Sequence, residues 1–289
     1  MAKSNQPTLD ALVPPEMARK AETIGVAKVN LDALSLFALA VLAGAFIALG
    51  AIFATTVTTG AGSVPYGVVK ILGGVAFCLG LILVIAAGAE LFTGNNLIVM
   101  AWAGGKVSTR RLLYNWAVVY AGNFVGSILT SYMMFLSRQY LFADGQVGLN
   151  MLNIANGKTG LDFGQAVVLG ILCNALVCLA VWLSFSARSL TDKILAVVFP
   201  ITAFVAAGFE HSVANMYFIS TGLFVKDGAA AEFWETTGRS ASEFINLTWS
   251  NFLFANLLPV TIGNIIGGVA LVGLVYWFIY RRPQRSTED

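Results

Sequence analysis

Long apolar runs alternate with short polar connections along the 289 residues of the chain. About 20 apolar residues suffice to cross a bilayer as helix. The pattern predicts spans near 34–57, 67–103, 112–136, 164–187, 194–223 and 251–280. The second and fifth stretches each carry a polar interruption. The first reads Gly88-Ala89-Glu90-Leu91-Phe92-Thr93-Gly94-Asn95 and the second Gly208-Phe209-Glu210-His211-Ser212-Val213-Ala214-Asn215. Gly, Glu and Asn recur in register at an offset of 120 residues, from Gly88 to Gly208. Short, mostly apolar pieces, 95–103 and 215–223, follow the breaks. Spans three and six repeat a smaller pattern, Gly122-Asn123 with Gly126 and Gly263-Asn264 with Gly267.

The repeat predicts an all-α membrane protein with six transmembrane helices in two three-helix halves. Three is odd, so the second half enters the membrane upside down relative to the first. Inverted repeats with broken helices near the midplane are a transporter and channel design. Interrupting a helix in lipid frees amides and carbonyls that cost several kcal/mol each when unpaired. Such breaks persist only inside protein or beside water. Their new helix N-termini carry unpaired N–H groups and partial positive charge, which suits an anion without any fixed cation.

Composition agrees with the pattern. The chain is 57% hydrophobic and only 11% charged, against about 25% charge in soluble domains. A net charge of +2 and the lack of a basic, aromatic-laced patch exclude nucleic acid as a partner. Cys78, Cys173 and Cys178 lie in apolar runs without CxxC spacing, and His211 is the chain's single histidine. Neither a disulfide, a metal site nor a cofactor is expected. Residues 1–30 are polar and lack a short apolar core followed by a small-residue cleavage site, so no removable signal peptide is expected.

Charge orients the spans. Lys3, Arg19, Lys20, Lys28, Lys106, Arg110, Arg111, Arg188, Lys193, Arg281, Arg282 and Arg285 fall on one side of the predicted membrane. Lys70, Arg138, Lys158, Lys226 and Arg239 fall on the other. The positive-inside rule places both termini in the cytoplasm. Pro14-Pro15 with Met17, Ala21 and Ile24 at helical spacing predicts a short amphipathic helix before span one. Residues 228–250, acidic and aromatic, are expected on the outer surface as an interfacial segment. Their Asn246-Leu247-Thr248 sequon is read as a chance match. The organisation is thus a cytoplasmic segment 1–30, a six-span domain 31–281 with repeats 31–140 and 161–281, and a tail 282–289.

Intramembrane ionisable groups are functional candidates by default. Glu90 and Glu210 are read as structural acceptors for the freed amides of their own broken helices, since a bare carboxylate repels anions. Asn95 and Asn215 share those breaks. His211, beside Ser212 and facing the Thr93 break, can change charge near physiological pH and is read as the group that meets a small anion. Asn174 and Asn264 are further polar candidates in spans four and six. Lys70, near a span end, is read as snorkelling to the interface.

The segments Glu90–Asn95, Phe209–Asn215 and Pro259–Gly268 resemble the signature of the formate/nitrite transporter family over nearly the whole chain. The start, Leu9 to Pro15, and the long outer segment are most similar to its formate channel branch. The resemblance implies an aquaporin-like fold, a homopentamer with one pore per protomer, and passage of formate or related small monovalent anions across a bacterial inner membrane. It implies Thr93 and His211 as the central polar pair, Phe77 and Phe204 as the outer constriction, and Leu81, Leu91 and Val177 as the cytoplasmic one. It further implies that Asn174, Asn264 and Lys158 attract or pass the anion, and that residues 8–30 close the pore. Lys158 as an ordinary exposed loop lysine is the alternative.

Three other readings remain beside a formate channel, itself open to gating by pH. One is a nitrite or hydrosulfide channel of the same family, and another is a proton-coupled formate transporter. The third is an intramembrane enzyme, which the adjacency of Ser212, His211 and Glu210 disfavours, because neighbours in sequence do not readily form a nucleophile–base–orienter geometry.

Overall fold

A computed structural model describes residues 11–282; Lys3, Leu9, Asp10, Arg285 and all but the first residue of the 282–289 tail lie outside the described residues. Every regular element among them is helical. An amphipathic helix α1 (Pro14–Val29) precedes α2 (Ala33–Val57) and α3 (Tyr66–Ala87). The chain then breaks and resumes as α4 (Phe92–Asn95), a tight turn Asn96–Ile98 and α5 (Val99–Ala103). Helix α6 (Thr109–Leu136) completes the first half. The second half repeats the order with α7 (Gln146–Thr159), α8 (Phe163–Ser186), α9 (Leu190–Ala206), a break, and α10 (Ser212–Gly228). A short helix α11 (Ala231–Thr237) leads to the last, α12 (Asn251–Tyr280), which widens to π-helix over Asn251–Leu257 and Gly267–Gly273.

Five helices, α2, α3, α6, α8 and α12, are long and apolar enough to cross a membrane. The fifth span is instead α9 followed by α10, and α4 and α5 return into the first half in the same way. Both returns begin earlier than the sequence pattern predicts, at Phe92 and Ser212 rather than at 95 and 215. At both breaks a glycine takes a left-handed conformation, Gly88 with φ 82° and Gly208 with φ 74°. A side chain at either would be strained.

Each half is knit internally by glycines at helix crossings, where small residues allow close approach in lipid. A Cβ on Gly126 would lie 2.0 Å from the Val41 carbonyl oxygen, and one on Gly267 2.2 Å from that of Ile171. These contacts fix α6 on α2 and α12 on α8 at matching places.

Helix α7 is the element the hydropathy pattern did not predict. It stands before α8 as α1 stands before α2. Asp32 caps α2 by accepting from the Leu34 and Ser35 amides, and Asp162 occupies the corresponding start of α8. Each half therefore contains an amphipathic helix as well as three spans. Met17 and Ala21 of α1 are buried, as its spacing predicts. The helix is held by polar contacts too. Lys20 Nζ donates to the Phe185 carbonyl at 2.7 Å. Glu22, 1% exposed, pairs with Lys106 and, at 3.0 Å, with Arg281. Burial alone would raise the Glu22 carboxyl, but hydrogen bonds from Arg281 and Lys106 outweigh it and hold the group below the ordinary carboxylate range.

The segment 228–250 packs part of its apolar surface inward and leaves Trp249 exposed. Phe233, Phe244 and Leu247 are buried, and Phe233 meets Tyr140 edge-on at 5.5 Å.

Candidate functional site

The two breaks are satisfied by side chains from the third span of each half. Asn123 Oδ1 accepts from the Phe92 amide at 2.9 Å, while its Nδ2 donates to the carbonyls of Ala40 and Glu90. Asn264 does the same for the Ser212 amide and the carbonyls of Gly170 and Glu210. The Glu90 and Glu210 amides reach back to the Leu39 and Leu169 carbonyls. One asparagine per half thus removes the penalty for two backbone groups left open in an apolar medium.

This corrects the hydrogen-bond donors expected for the glutamates. Their carboxylates do not receive the freed amides. Glu90 accepts from Lys28 Nζ at 2.7 Å and Asn95 Nδ2 at 2.7 Å. Glu210 accepts from Lys158 Nζ at 2.7 Å, Asn215 Nδ2 at 2.6 Å and Asn256 Nδ2 at 3.2 Å. Asn95 and Asn215 pass a second amide proton to Asn115 and Asn256. Lys158 is accordingly no exposed loop lysine, with 18% of its side chain accessible in the pair. The expectation of an anion site without fixed cations also falls, because a lysine stands at each break. Lys28, Asn115 and Asn256 escaped the sequence reading. The signal that marks Lys28 is its constant spacing to Lys158, shared by Asp32 with Asp162 and by Leu39 with Leu169.

Thr93 and His211 meet at the centre. His211 Nε2 lies 2.8 Å from Thr93 Oγ1, and both residues are buried. The Ala214 amide donates to His211 Nδ1 at 3.0 Å, so Nδ1 carries no proton and a neutral ring has its hydrogen on Nε2. That hydrogen points at Thr93 Oγ1, which leaves the threonine's own hydroxyl hydrogen available. The two are not repeat equivalents. Leu91 stands where the second half has His211, and Val213 where the first has Thr93. Ser212 Oγ has no hydrogen-bond partner, so no nucleophile–base contact forms.

Two cavities approach this pair from opposite ends. One, of about 470 Å³, is bordered by Lys28, Glu90, Leu81, Leu91, Gly94 and the α1 residue Ile24. The other, of about 490 Å³, is bordered by Lys158, Glu210, Phe77, Phe204, His211 and Lys70. Phe77 and Phe204 pack edge to face at 5.6 Å, and the Phe204 ring lies 6.0 Å from the His211 ring. Helix α1 forms a wall of the first cavity and does not fill it. Thr93, Val177, Asn174 and Asn264 border neither cavity. Asn174 uses both amide hydrogens, on Asn96 Oδ1 at 2.8 Å and the Asn264 carbonyl at 2.6 Å.

Comparison with known proteins follows the geometry. A family model described as formate/nitrite transporter matches residues 15–278. The formate channel FocA of Escherichia coli (strain K12) is 50% identical over 280 residues, covering 97% of this chain and 98% of that protein. FocA of Haemophilus influenzae is 41% identical, covering 95% and 97%. A solved pentameric formate channel with formate bound superposes with a TM-score of 0.83 at 49% identity, covering 86% of this chain and 97% of that one. A second solved structure, an FNT family ion channel, gives 0.78 at 29% identity, covering 91% and 98%.

Proposed function

This chain belongs to the formate/nitrite transporter family, and from that premise we propose that it passes formate through its own pore. The observation that carries this reading is one buried polar pair, Thr93 and His211, set between two cavities, the outer bordered by His211 itself and the inner by Leu91 and Gly94 on either side of Thr93. The basic loops support an orientation with both termini in the cytoplasm of a bacterium and the chain in its inner membrane. The Lys28 cavity is then the inner vestibule and the Lys158 cavity the outer one. Like its pentameric structural neighbour, the chain works as a homopentamer.

A formate ion entering either vestibule loses water as it approaches the apolar side chains. A bare ion in such a medium is penalised heavily. At the centre the anion accepts hydrogen bonds from the Thr93 hydroxyl and His211 Nε2. A proton taken from water in the entry vestibule turns the anion held at the centre into neutral formic acid, which passes the apolar seal and returns the proton to water on the far side. Residues Phe77 and Phe204 seal the outer side, and Leu81, Leu91 and Val177 the inner. Asn174 and Asn264 hold the breaks in shape, and Lys158 and Lys28 hold the glutamates.

Because formate and a proton cross together in this scheme, a proton gradient drives accumulation, which is the mark of the coupled-transporter reading. Nitrite and hydrosulfide share formate's size and weak-acid chemistry. The test is stopped-flow flux of the purified protein in liposomes, comparing formate, nitrite, hydrosulfide and water across pH. Formate flux that rises in acid, and loses that rise in His211→Phe, is expected. Flux and pH dependence unchanged in His211→Phe would sink the proton step. Absence of formate flux in the wild type would sink the channel reading itself.

A further inference from the structure

We infer that Lys70 captures anions at the outer mouth of the pore. The inference rests on the formate-channel reading and its orientation. The vestibules match in volume and in their lysine–glutamate pairs, but they do not match in charge. On the inner side the Lys28 ammonium is balanced by Glu90 at 2.7 Å. On the outer side Glu210 balances Lys158 at the same distance, and Lys70 borders that cavity in addition.

The structure gives Lys70 no carboxylate partner. Its Nζ lies 5.3 Å over the exposed Tyr66 ring, and it enters no hydrogen bond or ion pair among the described residues. Leu190 stands at the repeat-equivalent position, and beside the inner cavity the Lys20 ammonium is instead spent on the Phe185 carbonyl at 2.7 Å. The surrounding outer loops carry Asp144, Asp162, Asp227, Glu232, Glu235 and Glu243 against Arg138, Lys226 and Arg239. An anion therefore meets an acidic surface with one uncompensated cation at the opening. Charge at a low-dielectric mouth raises the local concentration of its counter-ion and its entry rate. The effect fades as the screening length falls from about 30 Å at 0.01 M salt to about 3 Å at 1 M.

The test is formate uptake at subsaturating concentration by proteoliposomes, with potassium sulfate setting the ionic strength. Lys70→Gln slows uptake about three-fold at low ionic strength and Lys70→Glu about ten-fold, while Lys70→Arg keeps the wild-type rate. All four proteins converge at high salt and share one maximal flux. Equal rates for Lys70→Gln and wild type at low salt would overturn the inference, leaving Lys70 a membrane-surface anchor. A loss that persists at high salt or in the maximal flux would overturn it too, as a packing effect. Wild-type liposomes that carry no formate mark failure of the channel reading instead.

Discussion

Lys28 stands to the first half of the chain as Lys158 stands to the second: each ammonium lies 2.7 Å from the glutamate of its half's broken helix. Both lysines come from amphipathic helices that precede a first span, so each half carries its own ion pair across a break. Removing one partner of a buried pair costs about 3–5 kcal/mol, whereas replacing both is often near neutral. Glu210→Gln and Lys158→Met should each lower the melting temperature of the purified protein, and the double variant should recover much of the loss. Additive losses in that cycle would show that the two groups do not act as a pair.

The asparagines of the third spans make a separable prediction. Asn264→Ala leaves the Ser212 amide and the Glu210 carbonyl unpaired, at about 1–3 kcal/mol each. Asn264→Asp keeps the acceptor for the amide but loses the donor and buries a carboxylate against the Gly170 and Glu210 carbonyls, which costs more than the unpaired groups alone. Thermal melts should rank wild type above Asn264→Ala and that above Asn264→Asp, and Asn123 should follow the same order. Equal stability of Asn264→Ala and wild type would mean that water closes the break unaided.

Close helix crossing predicts a contrast between glycines. On Gly126 a methyl group would sit 2.0 Å from backbone oxygen, whereas around Gly157 the space within 4 Å is open. Gly126→Ala should abolish accumulation of folded protein, while Gly157→Ala should accumulate normally. The yield of a monodisperse peak in detergent measures both.

Much of this arrangement was legible because its residues recur in register. Gly88 with Gly208, Glu90 with Glu210 and Asn95 with Asn215 share one spacing, and that spacing located the site. The lysines follow a second spacing and the asparagines Asn123 and Asn264 a third, since the connections between elements differ in length. A single-offset comparison therefore finds the breaks but not their partners. Lys28 was counted only as a basic flank, because nothing local ties it to a carboxylate 62 residues away. Helix α7 does not stand out in the hydropathy pattern because Asn150, Asn153, Asn156 and Lys158 interrupt the apolar run along the sequence, although Val147, Met151, Leu152 and Ala155 form one buried face. The matched breaks place His211 opposite the Thr93 break, the family resemblance implies the pair itself, and the side chains do meet. The tautomer of His211 was not legible, since it depends on the Ala214 amide.

Glu22 gives a pH prediction of definite sign. Its hydrogen bonds to Arg281 and Lys106 hold the carboxyl below the ordinary range despite burial, so the folded chain favours the ionised form. An unfolded glutamate titrates near about 4.3. The stability that the pair contributes is therefore fully present above that value and is lost as pH falls through the lower folded value. Glu22→Gln keeps the shape and removes the charge. Hydrogen exchange of the α1 amides should be faster in Glu22→Gln than in wild type at every pH from 8 to about 5. The gap should narrow below about pH 4, as protonation makes the wild type resemble the variant. A gap that stays constant into acid would show that packing of Met17 and Ala21, and not the Glu22 charge, holds α1 against the wall of the inner vestibule.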